Sequence, residues 1–239
     1  MKKIIIVSSL LLIGMSAFAG EAWNNHLGFG FRGPTGITVT EAKDDSDIKF
    51  KMPIQTGIDF TYTGVHMKSG FSVRGFMDYD LSSSNLESIN PRNDSKLTGF
   101  NFDSAIGLGW APVRNKFLLL GIYGIAGVDY SIFPDTYTEK LGSTKTNEDL
   151  GTVTTVITHS YMSLFTGGNV TAVWTPFGNR FSIYGSATVA YNLPGICEVT
   201  TSTTTTTLKD DARTVNYSDR YDVTGALKVI PAVGVSWRF

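Results

Sequence analysis

Six charged residues, Arg32, Asp59, Arg74, Asp78, Asp103 and Arg238, share one kind of setting: a stretch in which large apolar residues alternate with small or polar ones. Each sits in the small or polar phase, and His26, Gln55 and Asp129 fall in the same phase of their own stretches. Two kinds of chemistry are open to such a set, mutual ion pairing in a confined interior or the lining of a path for ions. A charge withdrawn from water needs a partner, so the spacing predicts an internal network, with Arg74 near Asp59 and Asp103. In a narrow interior that network is packed polar core rather than an ion path.

Other chemistry finds less support. His159 and Ser160 are a base and a hydroxyl side by side, with Thr158 before them. A nucleophile must lie within reach of its base, and neighbours on a strand point to opposite faces, so the two cannot simply pair and no catalytic residue is expected. The three histidines, His26, His66 and His159, are scattered, and no metal-ligand spacing appears. Cys197 is the only cysteine, which rules out an internal disulfide. Lys and Arg nearly balance Asp and Glu, for a formal net charge of −1, which gives no support for nucleic-acid binding. Neither a cofactor nor a metal is expected.

The elements that carry the charges read as strands. Eight segments alternate with period two between turn signals. In the first, Trp23, Asn25, Leu27, Phe29 and Phe31 alternate with Asn24, His26, Gly28, Gly30 and Arg32. The second sets Ile54, Thr56, Ile58, Phe60 and Tyr62 against Gln55, Gly57, Asp59, Thr61 and Thr63. The third and fourth run Phe71–Tyr79 and Phe100–Trp110. The fifth, Phe117–Tyr130, is apolar on both faces; Leu118, Leu120, Ile122, Ala126, Val128 and Tyr130 are assigned outward. The sixth and seventh put Met162, Leu164, Val170, Ala172 and Trp174, then Phe181, Ile183, Ala187, Val189 and Tyr191, on one face. The eighth begins near Lys228 and closes the chain on VGVSWRF.

Connection length alternates too. Short connections fall near 64–68, 111–116 and 175–180, and long ones near 33–53, 80–96, 132–160 and 192–227. The four tryptophans, Trp23, Trp110, Trp174 and Trp237, gather at the short-turn ends with Phe71, Phe117, Phe181 and Phe239. Phe31, Tyr79, Tyr130, Tyr161 and Tyr191 sit near the other ends. Two aromatic belts around an apolar band are the mark of a bilayer. The pattern therefore predicts an all-β, eight-stranded antiparallel up-and-down transmembrane β-barrel. A secreted β-sandwich or lipocalin-like barrel fits less well, because the Gly- and Ser-rich polar face suits a cramped interior better than a solvent surface.

Residues 1–19, MKKIIIVSSLLLIGMSAFA, read as a secretory signal peptide: two lysines, a short apolar run, and Ala17-Phe18-Ala19 as cleavage site. The barrel domain is then 20–239, in the outer membrane of a bacterial cell. At the other end, Val233, Val235, Trp237 and Phe239 form one apolar face ending on an aromatic.

In these features the chain resembles the small eight-stranded outer-membrane barrels, such as the OmpA transmembrane domain, OmpX and OmpW. The resemblance covers the whole barrel region as a pattern. It implies that Val233, Val235, Trp237 and Phe239 form the assembly signal read by the barrel-assembly machinery, and Pro231 departs from that pattern. Outer-membrane lipid and that machinery are the partners implied. The long connections carry EAKDDSDIKFK (41–51), DTYTEKLGSTKTNEDLG (135–151) and TTSTTTTTLKDDAR (200–213), and they are candidates for an extracellular ligand. The Thr run and Val153, Val156 and Ile157 either extend strands above the membrane or form solvated loop. The expected role is a non-enzymatic surface protein, structural or acting through its loops in adhesion and host or environmental contact. A narrow conduit for small or hydrophobic molecules, as in OmpW, is the alternative.

Overall fold

The computed structural model describes residues 22–37, 40–41, 49–50, 55–85, 96–142, 149–176, 180–207 and 212–239. The candidate signal peptide and Ile54 lie outside them, as does the side chain of Gln55. Twelve strands follow in chain order: β1 (Trp23–Ile37), β2 (Thr40–Glu41), β3 (Lys49–Phe50), β4 (Gln55–His66), β5 (Phe71–Asn85), β6 (Lys96–Arg114), β7 (Leu118–Gly142), β8 (Asp149–Trp174), β9 (Phe181–Asn192), β10 (Gly195–Thr207), β11 (Arg213–Val223) and β12 (Ala226–Arg238). Eight of them close an antiparallel barrel in the order β1-β4-β5-β6-β7-β8-β9-β12, with β12 paired back to β1.

Period-two alternation decides which side each residue takes. Leu27, Phe29, Phe31, Ile106, Leu108, Ile122, Leu164 and Val170 are exposed on the outer side. His26, Arg32, Asp59, Arg74, Asp78, Asp103 and Asp129 are buried on the inner one. The doubly apolar β7 takes the expected phase. Ile122 and Ala126 face out, while Tyr123 and Ile125 face in, where they pack with Phe76, Ala105, Phe165 and Ala190. Four side chains assigned to the exposed apolar phase are instead covered, Phe102 and Ser104 of β6 among them. Tyr62 and Asn25 are buried, with Tyr62 Oη donating to Asn25 Oδ1 at 2.9 Å, because Gly64 has no side chain to occupy the space the phenol takes.

The closing segment keeps its phase. Val233, Val235 and Trp237 stand on the outer face beside Phe31, Phe29 and Leu27 of β1. Pro231 is also outward, at the point where the β1–β12 register shifts between Arg32 and Gly36. Proline is tolerated at such irregularities because its missing N–H is not needed there. The aromatic rim at the short-turn end is paired residue against residue. Phe71 opposes Trp110, and Trp237 opposes Phe181; Trp23 packs edge-on to Phe71 with ring centres 6.0 Å apart. Phe117 and Trp174 are exposed at the same level.

The other end departs most from expectation. Residues 132–160 and 192–227, read as long connections, are mostly strand. β7 and β8 remain paired as far as Gly142 and Asp149, and the Thr run lies in β10, hairpinned to β11. Thr and Val favour extended backbone, and the β7–β8 ladder keeps its register as far as Leu141. β8 changes neighbours on the way. Its residues Phe165–Trp174 pair with β9 and Gly151–Met162 pair with β10, the switch falling at Leu193 and Pro194. A four-stranded sheet, β7-β8-β10-β11, therefore stands on one side of the barrel mouth.

Candidate functional site

The barrel register sets four carboxylates in a row. Asp59 of β4 is opposite Asp78 of β5, Asp78 opposite Asp103 of β6, and Asp103 opposite Asp129 of β7. Like charges directly opposed destabilise a sheet, so the row requires cations from elsewhere. They come from the far wall. Arg32 of β1 pairs with Asp80 at 2.6 Å, with Asp78 at 3.4 Å and with Asp103. Lys228 of β12 pairs with Asp103 at 2.6 Å and Asp129 at 3.1 Å, and its ammonium lies 4.0 Å above the Phe165 ring. Asn101 donates to Asp80 at 3.2 Å, and Asn192 donates to Asp129 at 2.7 Å.

The six charges singled out from sequence thus divide into two levels. Arg32, Asp78 and Asp103 meet in the network, while Arg74 and Arg238 do not join it. Arg74 donates to Thr63 Oγ1 at 3.0 Å and lies over Phe76. Its register partners are Thr63 and Gly107, each four residues along the strand from Asp59 and Asp103, which is roughly 13 Å of rise. Arg238 is opposite His26 at the short-turn end. Asp59 instead accepts from Tyr184 Oη at 2.6 Å. Tyr184 crosses there because Gly28, Gly30 and Gly234 leave the space; a Cβ at any of them would collide with its ring or hydroxyl. Sequence reading missed Lys228 and Asp80, which looked like the edges of long connections.

Above and below the charges, apolar clusters pack among buried polar side chains such as Ser72, Asn169, Thr171 and Ser182. Val65, Ala111, Leu119, Val173 and Tyr184 pack together at the short-turn end, with Met67 against them. Tyr161, Cys197 and Val223 pack at the other. Burial pushes the Cys197 thiol up to about 12, so it is no nucleophile at neutral pH. His159 is buried in the inward phase, and Ser160 takes the opposite face. Among the described residues no group of His, Cys, Asp or Glu could hold a metal ion.

The upper sheet has two unlike faces. One carries a row of threonines across all four strands, Thr138, Thr154, Thr204 and Thr214, in direct register. Thr138 and Thr154 share a hydrogen bond of 3.2 Å, as do Thr204 and Thr214 at 3.0 Å. The other face continues the barrel interior through Tyr161, His159 and Ile157, opposite Cys197, Val199 and Thr201. It ends on Tyr217 and Val215 of β11, which are 63% and 57% exposed. Among the described residues β11 pairs only with β10, so its other edge is open.

Comparison with solved structures rests on this architecture. A major outer membrane protein from Thermus thermophilus has a TM-score of 0.50 at 14% identity, covering 88% of this chain and 99% of that one. The fold is that of the small outer-membrane barrels. Ail, the attachment invasion locus protein of Yersinia pestis, matches at TM-score 0.41 and 12% identity over 90% of this chain and 98% of its own. OprG, an outer membrane protein of Pseudomonas aeruginosa, matches at 0.42 and 11% over 91% and 95%. No protein-family model matches the chain, and no curated protein sequence does.

Proposed function

We propose that this chain is an outer-membrane surface protein that acts through the sheet above its barrel, as a structural or adhesive contact with host or environment. Its outer band of exposed Leu, Ile, Val and Phe, flanked by aromatic rims, suits hydrocarbon between two interfaces. The observation that carries the reading is the pairing of a filled lumen with a tall sheet. Arg32, Arg74, Tyr123, Phe165, Tyr184 and Lys228 are fully buried across the barrel interior. Beyond Met162, β8 runs on for a further dozen residues, about 40 Å of strand. Material that cannot serve conduction is spent on surface above the membrane, with an open edge at β11 and a threonine face beside it. Open edges and flat strands are places where other chains pair.

The test removes most of β10 and β11 from the sheet, with its open edge, and keeps the barrel. Residues 198–220 are replaced by Asn-Gly, joining the register partners Cys197 and Tyr221 by a two-residue hairpin turn. The shortened chain is expected to keep the heat-modifiable migration of a folded barrel. Cells displaying it are expected to lose adherence to glass, to epithelial monolayers and to one another, relative to the full chain. Unchanged adherence defeats the proposal. So do stable single-channel openings of the full chain in a planar bilayer, altered by Arg74→Ala, which would make a conduit the primary function.

A further inference from the structure

The opposite mouth of the barrel holds a cavity of about 390 Å³. It is walled by Lys116, Arg180 and Arg238, with Trp23, Asn24 and Phe239 among its other lining residues. The cations come from two different turns and the end of β12, and among the described residues no Asp or Glu side chain lines the space. The side chains of the lining thus carry a formal excess of positive charge. The wider rim repeats the bias, because the turns at 67–70, 115–117 and 175–180 carry Lys68, Lys116 and Arg180 and no acid.

The barrel core backs one side of the cavity. Met67, which lines it, packs against the apolar cluster of Val65, Ala111, Leu119, Val173 and Tyr184. Arg114 ties the first two turns together, donating to the carbonyls of Met67 at 2.9 Å, Ala111 at 3.0 Å and Lys68 at 3.2 Å. Lys116 is held 4.8 Å above the Phe117 ring. Trp23, in the wall, belongs to the aromatic rim through its contacts with His66 and Phe71. The cavity therefore opens at the level where lipid headgroups lie. Cations converging on one recess attract an anion, and Lys and Arg are the residues that hold phosphate.

We propose that this mouth binds a phosphate group presented by an anionic glycerophospholipid of the leaflet that faces it. The proposal is independent of what the upper sheet does. The barrel is refolded in dodecyl maltoside and examined by native mass spectrometry with added phosphatidylglycerol, phosphatidylcholine or inorganic phosphate. One phosphatidylglycerol is expected to stay bound, in preference to phosphatidylcholine, and millimolar inorganic phosphate is expected to compete with it. K116A/R180A is expected to lower retention about tenfold, from two lost charge-assisted contacts. K68A, on an exposed turn residue outside the lining, is expected to leave it unchanged. Heat-modifiable migration shows that each variant is folded. Equal retention of the two lipids, or undiminished retention by K116A/R180A, overturns the proposal. Binding of inorganic phosphate without binding of phosphatidylglycerol overturns the lipid source.

Discussion

Replacing Lys228 by methionine tests the lumen network where its partners are most unequal. The ammonium serves two carboxylates, Asp103 at 2.6 Å and Asp129 at 3.1 Å. Without it, Asp103 keeps Arg32 as a partner, and Asp129 keeps the amide of Asn192. Methionine fills much of the same volume, so the loss reports the stranded charge rather than a cavity. Breaking a buried pair from one side costs about 3–5 kcal/mol, and the contact with Phe165 adds to that. The further change Asp129→Asn removes the stranded charge. K228M/D129N is then expected to be more stable than K228M by about 1–3 kcal/mol, the penalty of a buried group left without its partner. Urea unfolding of the barrel in lipid vesicles, followed by tryptophan fluorescence, measures both. A loss below about 1 kcal/mol for K228M, against the expected 3–5, would refute the reasoning; so would a double variant less stable than K228M.

Two further outcomes follow. Deleting Phe239 removes its N–H bond to the Asn25 carbonyl, at 3.1 Å, and the last aromatic of the closing strand. Insertion by the barrel-assembly machinery is expected to fall more than folding into detergent, as read by gel shift in cells and in vitro; equal losses would count against a role in recognition. Cys197 is buried with a thiol raised to about 12, so a water-soluble maleimide is expected to leave it unlabelled in the folded barrel up to about pH 10 and to label it on unfolding in urea.

What sequence revealed depended on whether a solvent imposed a pattern. The strands of the barrel wall meet an apolar phase on one side and a cramped interior on the other. Leu27, Phe29 and Phe31, or Val233, Val235 and Trp237, therefore declare their side by alternation alone. Above the barrel no apolar solvent acts. Thr200–Thr207 alternates nothing, and ladders on both sides, with Gly151–Thr158 and with Arg213–Ser218, make it a strand. Within the lumen, the side a charge faces was readable but its level along the strand was not. Arg74 and Asp103 share the interior yet lie four residues apart in register. Lys228 sits between Leu227 and Val229 at a strand's start, and Asp80 falls where the long connection at 80–96 begins, so neither declares itself a lumen charge.

Both cations of the carboxylate row belong to the strands that close the barrel, Arg32 to β1 and Lys228 to β12. The acids belong to β4, β5, β6 and β7, which are contiguous in the chain and share a continuous ladder. An unfinished sheet of those strands thus carries a line of unneutralised charge along its inner face. β1 joins that sheet through its ladder with β4 and brings Arg32, whereas Lys228 comes with β12 from the other end of the chain. The seam then completes the last backbone ladder and brings Lys228 to Asp103 and Asp129 in the same event. A barrel open between β1 and β12 lacks its last ladder and leaves Asp129 without its cation at the same time.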